Sequence, residues 1–380
     1  MKILITGNMG YVGSRVVAHL RSVFPDATLI GADVGLFGPY LSNAKILPEV
    51  LLDVHYFCDV RELGDDVLGG VDAVVHLAGV SNDPIGNQYE DVTLEINHRA
   101  SIGLAARAKA AGVRCFVFAS SCSAYGLAED GARSEESKVN PLTAYAKSKV
   151  YTERDLRPLA GDDFRVTCLR FATACGMSER LRLDLVLNDF VATAVATGRI
   201  NILSDGSPWR PLIDVNDMAR AIEWAVARDA ESGGNYLIVN AGSEEANHQV
   251  RDLAVAVAAE LPGTTVSTNP DAQPDKRSYR VDFSLFEHLA PEHQPAISLR
   301  ESIQGLREGL TAMGYAHANV QDSMMVRLRA IALLRNDNYI TPELRWISSA
   351  ARRQTAGAAA PQSLGPRAAP QRPSDRECQD

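Results

Sequence analysis

Long apolar segments and paired cysteines are both absent from this sequence. No stretch approaches the roughly 20 apolar residues of a membrane-spanning helix, and no apolar leader follows Met1. The six cysteines form no C-x-x-C pair and have no spacing typical of disulfides, so we expect reduced thiols and no metal site. These absences predict a cytoplasmic protein without a membrane partner.

Positive charge is also scarce. The 380 residues include 38 Lys and Arg against 47 Asp and Glu, which gives a formal net charge of −9. A nucleic-acid-binding surface needs a basic field, so no nucleic-acid partner is expected. Hydrophobic residues at 46% and charged residues at 22% are typical of a globular protein with a packed core.

The first two-thirds of the chain alternates β-rich runs with amphipathic stretches of helical period. The predicted strands are residues 2–6, 28–33, 54–58, 73–77, 115–119 and 165–170. The predicted helices are residues 12–23, 92–111 and 144–156. Such alternation predicts an α/β fold built on a Rossmann-type, doubly wound parallel sheet.

The regular alternation of strand and helix patterns becomes less clear after residue 175, and we predict that the sheet domain ends there. A smaller C-terminal α/β substrate lobe is expected over residues 176–350, partly interleaved with the sheet domain of residues 1–175. Its predicted elements are helices 184–196, 215–227 and 250–261 and strands 200–203 and 235–240. In residues 351–380 Ala, Pro, Gln, Arg and Ser dominate without periodicity, which predicts a disordered tail.

A glycine-rich turn joins the first predicted strand to the first predicted helix. Gly7 permits the tight turn, Gly10 allows close approach of a pyrophosphate, and Gly13 allows the helix to pack on the strand. The pyrophosphate would lie at the helix N-terminus, where Tyr11 and Val12 begin the helix. Similar turns also occur without a ligand, so the motif needs a second element.

That second element is Asp33, which ends the second predicted strand 20 residues after Gly13. A carboxylate there accepts hydrogen bonds from the adenosine ribose and repels the 2′-phosphate of NADP, so we predict NAD as the cofactor. Two further segments fit the same site. Asp59 and Val60 follow the third strand, where an acid could bind the adenine amino group, and Leu77, Ala78 and Gly79 follow the fourth, where backbone must lie close to a ligand.

Tyr145 and Lys149 are the candidate catalytic pair. Their four-residue spacing places them on one helix face, where an ammonium group would favour the phenolate form of the tyrosine. Ser121, at the end of the fifth strand, would hydrogen-bond a substrate oxygen and orient it towards Tyr145. An isolated Tyr–Lys pair is usually a solvated helix face, but this pair follows both a dinucleotide motif and a Ser-Ser strand end.

These motifs together resemble the extended short-chain dehydrogenases/reductases, in particular the sugar-nucleotide epimerase/dehydratase branch. The matching segments are Thr6-Gly7-x-x-Gly10-x-x-Gly13, His76-Leu77-Ala78-Gly79, Ser120-Ser121-Cys122-Ser123-Ala124-Tyr125-Gly126 and Tyr145-x-x-x-Lys149. The segment at residues 208–217 resembles that branch's Arg-Asp-Tyr-Ile-His-Val-x-Asp segment more loosely.

The resemblance implies a nucleotide-sugar substrate and a homodimer paired through helices 92–111 and 144–156. It implies that Arg210 and Asn188 contact the nucleotide diphosphate and that either Arg277 or Arg280 adds a second arginine. The full set of substrate-binding candidates is Ser81, Cys122, Ser123, Thr173, Asn188, Arg210 and Arg277.

The residues that follow Ser121 discriminate between reactions. Dehydratases of the resembled branch typically have a glutamate two residues after the catalytic Ser or Thr, whereas this chain has Cys122 and Ser123. Neither can act as that extra acid or base, so the pattern favours an epimerase that oxidises a sugar carbon and then reduces it again. A ketoreductase or dehydrogenase with net redox, and a non-catalytic dinucleotide sensor, are the alternatives.

Overall fold

Fourteen strands and eleven α-helices are found in the computed structural model, within residues 1–81, 83–269, 278–349 and 352, which it describes. The strands are β1 (Lys2–Thr6), β2 (Thr28–Asp33), β3 (Val54–Phe57), β4 (Ala73–His76), β5 (Cys115–Ser121), β6 (Leu127–Arg133), β7 (Arg165–Phe171), β8 (Thr173–Cys175), β9 (Arg199–Ile202), β10 (Trp209–Asp214), β11 (Tyr236–Ala241), β12 (Asn247–Gln249), β13 (Thr265–Thr268) and β14 (Ser278–Val281). The helices are α1 (Tyr11–Val23), α2 (Asp83–Gln88), α3 (Glu90–Leu94), α4 (Ala100–Ala110), α5 (Ala144–Leu156), α6 (Val186–Thr197), α7 (Val215–Ala227), α8 (Val250–Glu260), α9 (Ser284–Leu289), α10 (Leu299–Ala312) and α11 (Arg327–Asn336).

Seven of the strands form one central sheet in the order β11-β7-β5-β4-β1-β2-β3. Every neighbouring pair in that sheet is parallel. Parallel strands need crossover connections, which the helices between them supply. The predicted α/β class and doubly wound parallel sheet are therefore confirmed.

Both faces of this sheet are covered, as the alternation of its side chains shows. Ile3 and Ile5 of β1 belong to one apolar cluster, whereas Leu4 between them belongs to a second. The same division separates Val117 of β5 from Phe118. Successive strand residues point to opposite faces, so near-continuous apolar runs fit a sheet packed on both sides.

Three smaller sheets are formed mainly by the second half of the chain. They have the strand orders β12-β10-β8, β13-β9 and β14-β6. The strand predicted at residues 235–240 is β11, which pairs with β7 in the central sheet. The segment after residue 176 therefore supplies most strands of the small sheets and one strand of the large one, while β6 and β8 of the small sheets precede it.

The helix predicted as continuous over residues 92–111 is interrupted in the structure. A π-helical turn, Glu95–Arg99, lies between α3 and α4. Such turns occur frequently at functional sites because they displace a side chain from the regular helical register. Here the displaced segment contains Asn97, which is buried.

The chain divides into two compact units, Met1–Ala332 and Leu333–Asp380. In the second unit an antiparallel bridge joins Ile340 to Trp346. The predicted tail, apart from Arg352, and the candidate Arg277 lie outside the described residues. Among the residues described, no helix is long and apolar enough to cross a membrane, and no group of His, Cys, Asp and Glu is arranged to hold a metal.

Candidate active site

The glycine turn between β1 and α1 leaves no room for side chains. Gly7 has a φ of +78°, and a Cβ atom on it would lie 2.6 Å from the backbone nitrogen of Ala78. A Cβ on Gly13 would lie 2.2 Å from the carbonyl oxygen of Gly7. Gly10 is the N-cap of α1 and donates its N–H to the Gly7 carbonyl at 3.0 Å. The turn is thus a bare backbone cradle at a helix N-terminus.

This cradle fits the diphosphate of a dinucleotide. The N–H groups in the first turn of a helix, here those of Tyr11 and Val12, have no partner within the helix, and the positive end of the helix dipole favours an anion beside them. The Tyr11 side chain points away from the cradle, and its buried hydroxyl donates to the Gly176 carbonyl at 2.6 Å, which is a structural contact. Tyr11 and Val12 are therefore predicted to contribute backbone rather than side chain.

Asp33 lies at the carboxyl end of β2, beside the glycine turn. Its two carboxylate oxygens accept hydrogen bonds from the N–H groups of Gly35 at 2.7 Å and Met9 at 3.0 Å. Burial raises the pKa of this carboxyl, and the two backbone donors oppose that shift. Each oxygen retains acceptor capacity, so the geometry fits the role predicted for Asp33 at the adenosine ribose.

The other cofactor candidates lie at the ends of neighbouring strands. Asp59 caps a short 3-10 helix that begins at Val60, and its carboxylate is paired with Arg61. Leu77 and Ala78 follow β4 and donate their N–H groups to the backbone oxygen and side-chain hydroxyl of Thr6 at 3.0 and 3.4 Å. These segments share one edge of the sheet with the glycine turn, which is where open α/β sheets bind ligands.

Asn97 is a residue at this edge that the sequence pattern did not reveal. Its side-chain oxygen accepts from the Val80 N–H at 2.7 Å, and its amide donates to the Val80 carbonyl at 2.8 Å and the Ser148 hydroxyl at 3.2 Å. A Cβ atom on Gly79 would lie 2.9 Å from the Asn97 oxygen. Gly79 thus lets the loop after β4 approach Asn97, which the π-helical turn holds in place.

The three catalytic candidates are brought together by β5 and α5. Ser121 is the last residue of β5, while Tyr145 and Lys149 lie one turn apart near the start of α5. Thr143 fixes that start, because its hydroxyl accepts the Ala146 N–H at 3.1 Å as the N-cap. The Lys149 ammonium nitrogen lies 5.6 Å from the centre of the Tyr145 ring.

Burial dominates the electrostatics of this group. It raises the pKa of the Tyr145 phenol, whereas a hydrogen bond with Ser121 and the positive charge of Arg182 lower it. Burial also lowers the pKa of Lys149 to about 8, and the nearby Glu153 carboxylate opposes that shift. The Lys149 ammonium donates to the Ala119 carbonyl at 2.6 Å. A lysine with a pKa near neutrality, beside a phenol, is suited to proton-transfer chemistry.

Arg182 is a second functional candidate that sequence reasoning missed. It is buried, it pairs with Asp184 at 3.1 Å, and it donates to the Ser81 hydroxyl at 3.2 Å. Its charge acts on Tyr145, so it lies at the predicted reaction centre. The signal available in the sequence was the charged Arg-x-Arg-x-Asp pattern at residues 180–184, inside an otherwise apolar segment.

The substrate candidates after Ser121 have different surroundings. Cys122 is fully buried and its thiol contacts the Arg170 carbonyl at 3.1 Å. The Ser123 hydroxyl is buried and has no hydrogen-bond partner among the described residues. Thr173 begins β8 and pairs with Leu212 of β10. Direct contact of these residues with a substrate stays a prediction.

Asn188 is fully buried on α6, with its amide engaged by the protein. It accepts from the Gly176 N–H at 3.1 Å and donates to the Arg182 carbonyl at 2.8 Å and the Tyr11 hydroxyl at 3.1 Å. These bonds join the glycine-turn helix to the loop after β8. A contact between Asn188 and a phosphate stays a prediction.

The arginine candidates lie on β10 and β14. Arg210 donates to the Trp209 carbonyl at 2.9 Å, and the Arg280 guanidinium lies 5.1 Å from the centre of a Trp209 ring. Tyr279, next to Arg280 on β14, is buried, and burial raises the pKa of its phenol while the charge of Arg210 opposes that shift.

Comparisons with known proteins give this geometry a context. Residues 3–242 match the model of the NAD dependent epimerase/dehydratase family. A UDP-glucose 4-epimerase of Azospirillum brasilense is 27% identical over 72% of this chain and 82% of its own length. A dTDP-glucose 4,6-dehydratase of Streptomyces griseus is 27% identical over 79% of this chain and 91% of its own length.

A solved structure is also similar to this chain in fold and sequence. MoeE5 in complex with UDP-glucuronic acid and NAD has a TM-score of 0.69 and 26% identity, over 82% of this chain and all of that chain. The family model matches more than half of the sequence, which confirms the family resemblance. The family match and the NAD-bound neighbour confirm the NAD cofactor predicted from the glycine turn and Asp33. The chain belongs to the NAD dependent epimerase/dehydratase family.

Proposed function

We propose that this protein is an NAD-dependent epimerase of a nucleotide-activated sugar. It acts by transient oxidation of a sugar hydroxyl to a ketone, followed by reduction on the opposite face. The proposal is supported by the convergence of Ser121, Tyr145 and Lys149 beside the glycine turn, and by relatives that include UDP-glucose 4-epimerases.

The surroundings of Ser121 favour epimerisation over dehydration. Removal of water needs an additional acid or base beside the sugar, and the two positions after Ser121 supply a buried thiol and a hydroxyl instead. Burial raises the pKa of the Cys122 thiol far above neutrality, so it stays protonated. The Asp83 carboxylate also acts on Tyr145, but it accepts a hydrogen bond from Thr143 at 2.6 Å, at the cap of α5.

The proposed mechanism assigns one task to each side chain. Tyr145 removes the proton from the sugar hydroxyl, and Ser121 holds that hydroxyl oxygen by a hydrogen bond. Lys149 stabilises the phenolate by its charge. Bound NAD supplies hydride acceptance and return. After the keto-sugar rotates, Tyr145 gives the proton back to the oxygen, so the cycle leaves no net redox change.

Substrate binding is proposed to divide along the chain. Residues 1–175 hold the cofactor and residues 176–350 hold the nucleotide sugar, with Arg210 and either Arg277 or Arg280 at the diphosphate. Asn188 is the other proposed contact in residues 176–350, and Ser81, Cys122, Ser123 and Thr173 are proposed to contact the substrate from residues 1–175. A homodimer paired through residues 92–111, which span the end of α3, the π-helical turn and α4, and through α5 completes the proposed assembly.

Product analysis tests the proposed reaction. Purified protein is incubated with UDP-glucose without added NAD. The nucleotide sugars are then separated by chromatography, and their masses are measured by mass spectrometry. Conversion to UDP-galactose, with no change of mass, is the expected result. A product lighter by one water would instead identify a dehydratase, and turnover that requires stoichiometric NAD or NADH would identify a net oxidoreductase.

A further inference from the structure

The end of β5 is tied to α5 at three consecutive residues. The Ala119 carbonyl accepts from Lys149 at 2.6 Å, Ser120 donates to Glu153 at 2.6 Å, and Ser121 acts on the Tyr145 phenol and lowers its pKa. The α5 partners are spaced four apart, so they occupy successive turns of one helix face. Two of these contacts belong to the predicted catalytic residues, and the third joins two residues to which no function has been assigned.

Glu153 is the centre of that third contact. It is 2% exposed, and its Oε1 accepts from the Ser120 hydroxyl at 2.6 Å and from Arg170 Nε at 2.9 Å. Its Oε2 accepts from Arg170 Nη2 at 2.7 Å. Arg170 lies on β7 directly opposite Ser120 in the sheet register, so one carboxylate joins α5 to two adjacent strands.

This buried ion pair continues into a polar network. Arg170 Nη1 donates to the Tyr125 hydroxyl at 3.1 Å, which in turn donates to Asn240 at 2.7 Å. Buried ion pairs often contribute little net stability compared with apolar residues of the same volume, because desolvation offsets the attraction. Stability alone is therefore a weak account of why this pair lies one helical turn from Lys149.

Several charged and titratable groups face Lys149 from the surrounding elements. The groups are Tyr145 and Glu153 on α5, His76 on β4 and Cys168 on β7, and Arg170 on β7 is paired with Glu153. His76 is neutral, since burial and the Lys149 charge lower its pKa to about 3, and burial keeps the Cys168 thiol protonated by raising its pKa. Glu153 is thus the only carboxylate among these groups.

We propose that Glu153 is a positioning residue, which places a carboxylate one helical turn from Lys149 and holds the Ser120–Ser121 strand end against α5. The proposal rests on the proposed function, because it assigns Glu153 to the support of the same reaction. Arg170 anchors the carboxylate, and Ser120 transmits its position to the neighbouring Ser121. Glu153 acts in this role through Lys149 and Ser121, since its side chain is buried away from the surface.

The direct test is the titration of Lys149 in holoenzyme labelled with ¹³C at the lysine ε-carbons. The Lys149 signal is assigned by its loss in Lys149→Met. In Glu153→Gln, which keeps the side-chain shape but removes the charge, the pKa of Lys149 should fall by about one unit or more relative to wild type. Glu153→Asp, which restores the charge, should bring the pKa of Lys149 most of the way back to the wild-type value.

A matched control separates this effect from general loosening of the helix. The Tyr236 hydroxyl donates to the Glu153 backbone carbonyl at 2.6 Å, so Tyr236→Phe disturbs the same residue without touching its carboxylate. The pKa of Lys149 should be unchanged in this variant. An unchanged value in Glu153→Gln, or equal shifts in Glu153→Gln and Tyr236→Phe, would overturn the proposal.

Kinetics give an independent readout. In Glu153→Gln the high-pH limb of the kcat profile should move down by about one unit, with KM for the nucleotide sugar changed less than about twofold. If Glu153→Gln does not fold, Ser120→Ala is the second variant, because it keeps the ion pair intact. It should lower kcat by about threefold or more at unchanged KM. An unaltered kcat in Ser120→Ala would then refute the positioning role.

The proposed function and the role of Glu153 can fail separately. Lack of turnover of any nucleotide sugar by wild type would refute the proposed function, while the lysine titration would still decide the role of Glu153.

Discussion

Replacement of Lys149 by methionine should abolish turnover yet make the nucleotide-free protein more stable. Burial lowers the pKa of Lys149 from 10.5 to about 8, which corresponds to roughly 3 kcal/mol of unfavourable free energy in the folded state below pH 8. Methionine removes that cost but leaves the Ala119 carbonyl without its donor, a loss of about 1 kcal/mol. The expected net gain in the free energy of unfolding at pH 7 is therefore about 2 kcal/mol.

The sign of the pH dependence follows from the depressed pKa. Below pH 8 Lys149 is charged in both the folded and the unfolded states, so the full penalty is present in wild type. Between about pH 8 and pH 10.5 the folded state releases its proton while the unfolded state keeps it, and wild type gains stability as pH rises. The advantage of Lys149→Met should shrink through this window.

Urea unfolding followed by circular dichroism at a series of pH values measures both effects. The control is Lys147→Met on the same helix, where the lysine side chain is 40% exposed and lies 3.9 Å from Glu90. An exposed pair of this kind contributes little, so this variant should stay within about 0.5 kcal/mol of wild type at every pH. A Lys149→Met protein that is less stable than wild type at pH 7, or an advantage that does not shrink above pH 8, would refute the reasoning.

The remaining predictions concern chemistry, cofactor choice and assembly. Tyr145→Phe should lower kcat by about 100-fold or more while NAD affinity by calorimetry stays near wild type, because only the proton-transfer group is lost; near-native turnover would exclude Tyr145 as the acid/base. Asp33 should make the protein bind NADH more tightly than NADPH, and Asp33→Asn should reduce that preference in the same calorimetric assay; tighter NADPH binding by wild type would contradict the assignment. Light scattering at micromolar concentration should give the mass of a homodimer, and a monomer would count against pairing through residues 92–111 and 144–156.

The central sheet could be predicted from the sequence because its signals are local. A buried parallel strand is a short apolar run between turn residues, and the predicted limits of β1 and β2 coincide with the observed ones. α5 and α7 were also predicted with their observed limits, since Thr143 and Asp214 are strong N-cap residues.

The interruption before α4 could not be predicted in the same way. A π-helical turn adds one residue to a helix without changing its composition, so an apolar periodicity of 3.6 hides it. The position of Asn97 against Gly79 in the candidate site depends on that turn. The strand at residues 235–240 is predicted in the substrate lobe because it follows that lobe's first elements in the sequence. Its pairing with β7 in the central sheet joins residues far apart in the chain, which a local pattern does not reveal.

The candidate site was predictable where motif spacing fixes geometry. The glycine turn, Asp33 and the Tyr145–Lys149 pair each follow from residues close in sequence or from adjacent strand ends. Arg182 and Glu153 were missed because their importance depends on burial, and a charged residue on its own gives no sign of being buried. Their partners, Ser81 and Arg170, are distant in sequence, so the contacts exist only in the folded chain.

The fate of the hydrogen on the reacting carbon tests the proposed epimerisation most directly. Wild-type protein is given UDP-glucose deuterated at C4 in ordinary water, and the product is examined by mass spectrometry and NMR. Oxidation and re-reduction by the same bound cofactor predict UDP-galactose that keeps its deuterium at C4. Loss of the deuterium to solvent, or its appearance in released NADH, would contradict an epimerase that returns the hydride to its own substrate.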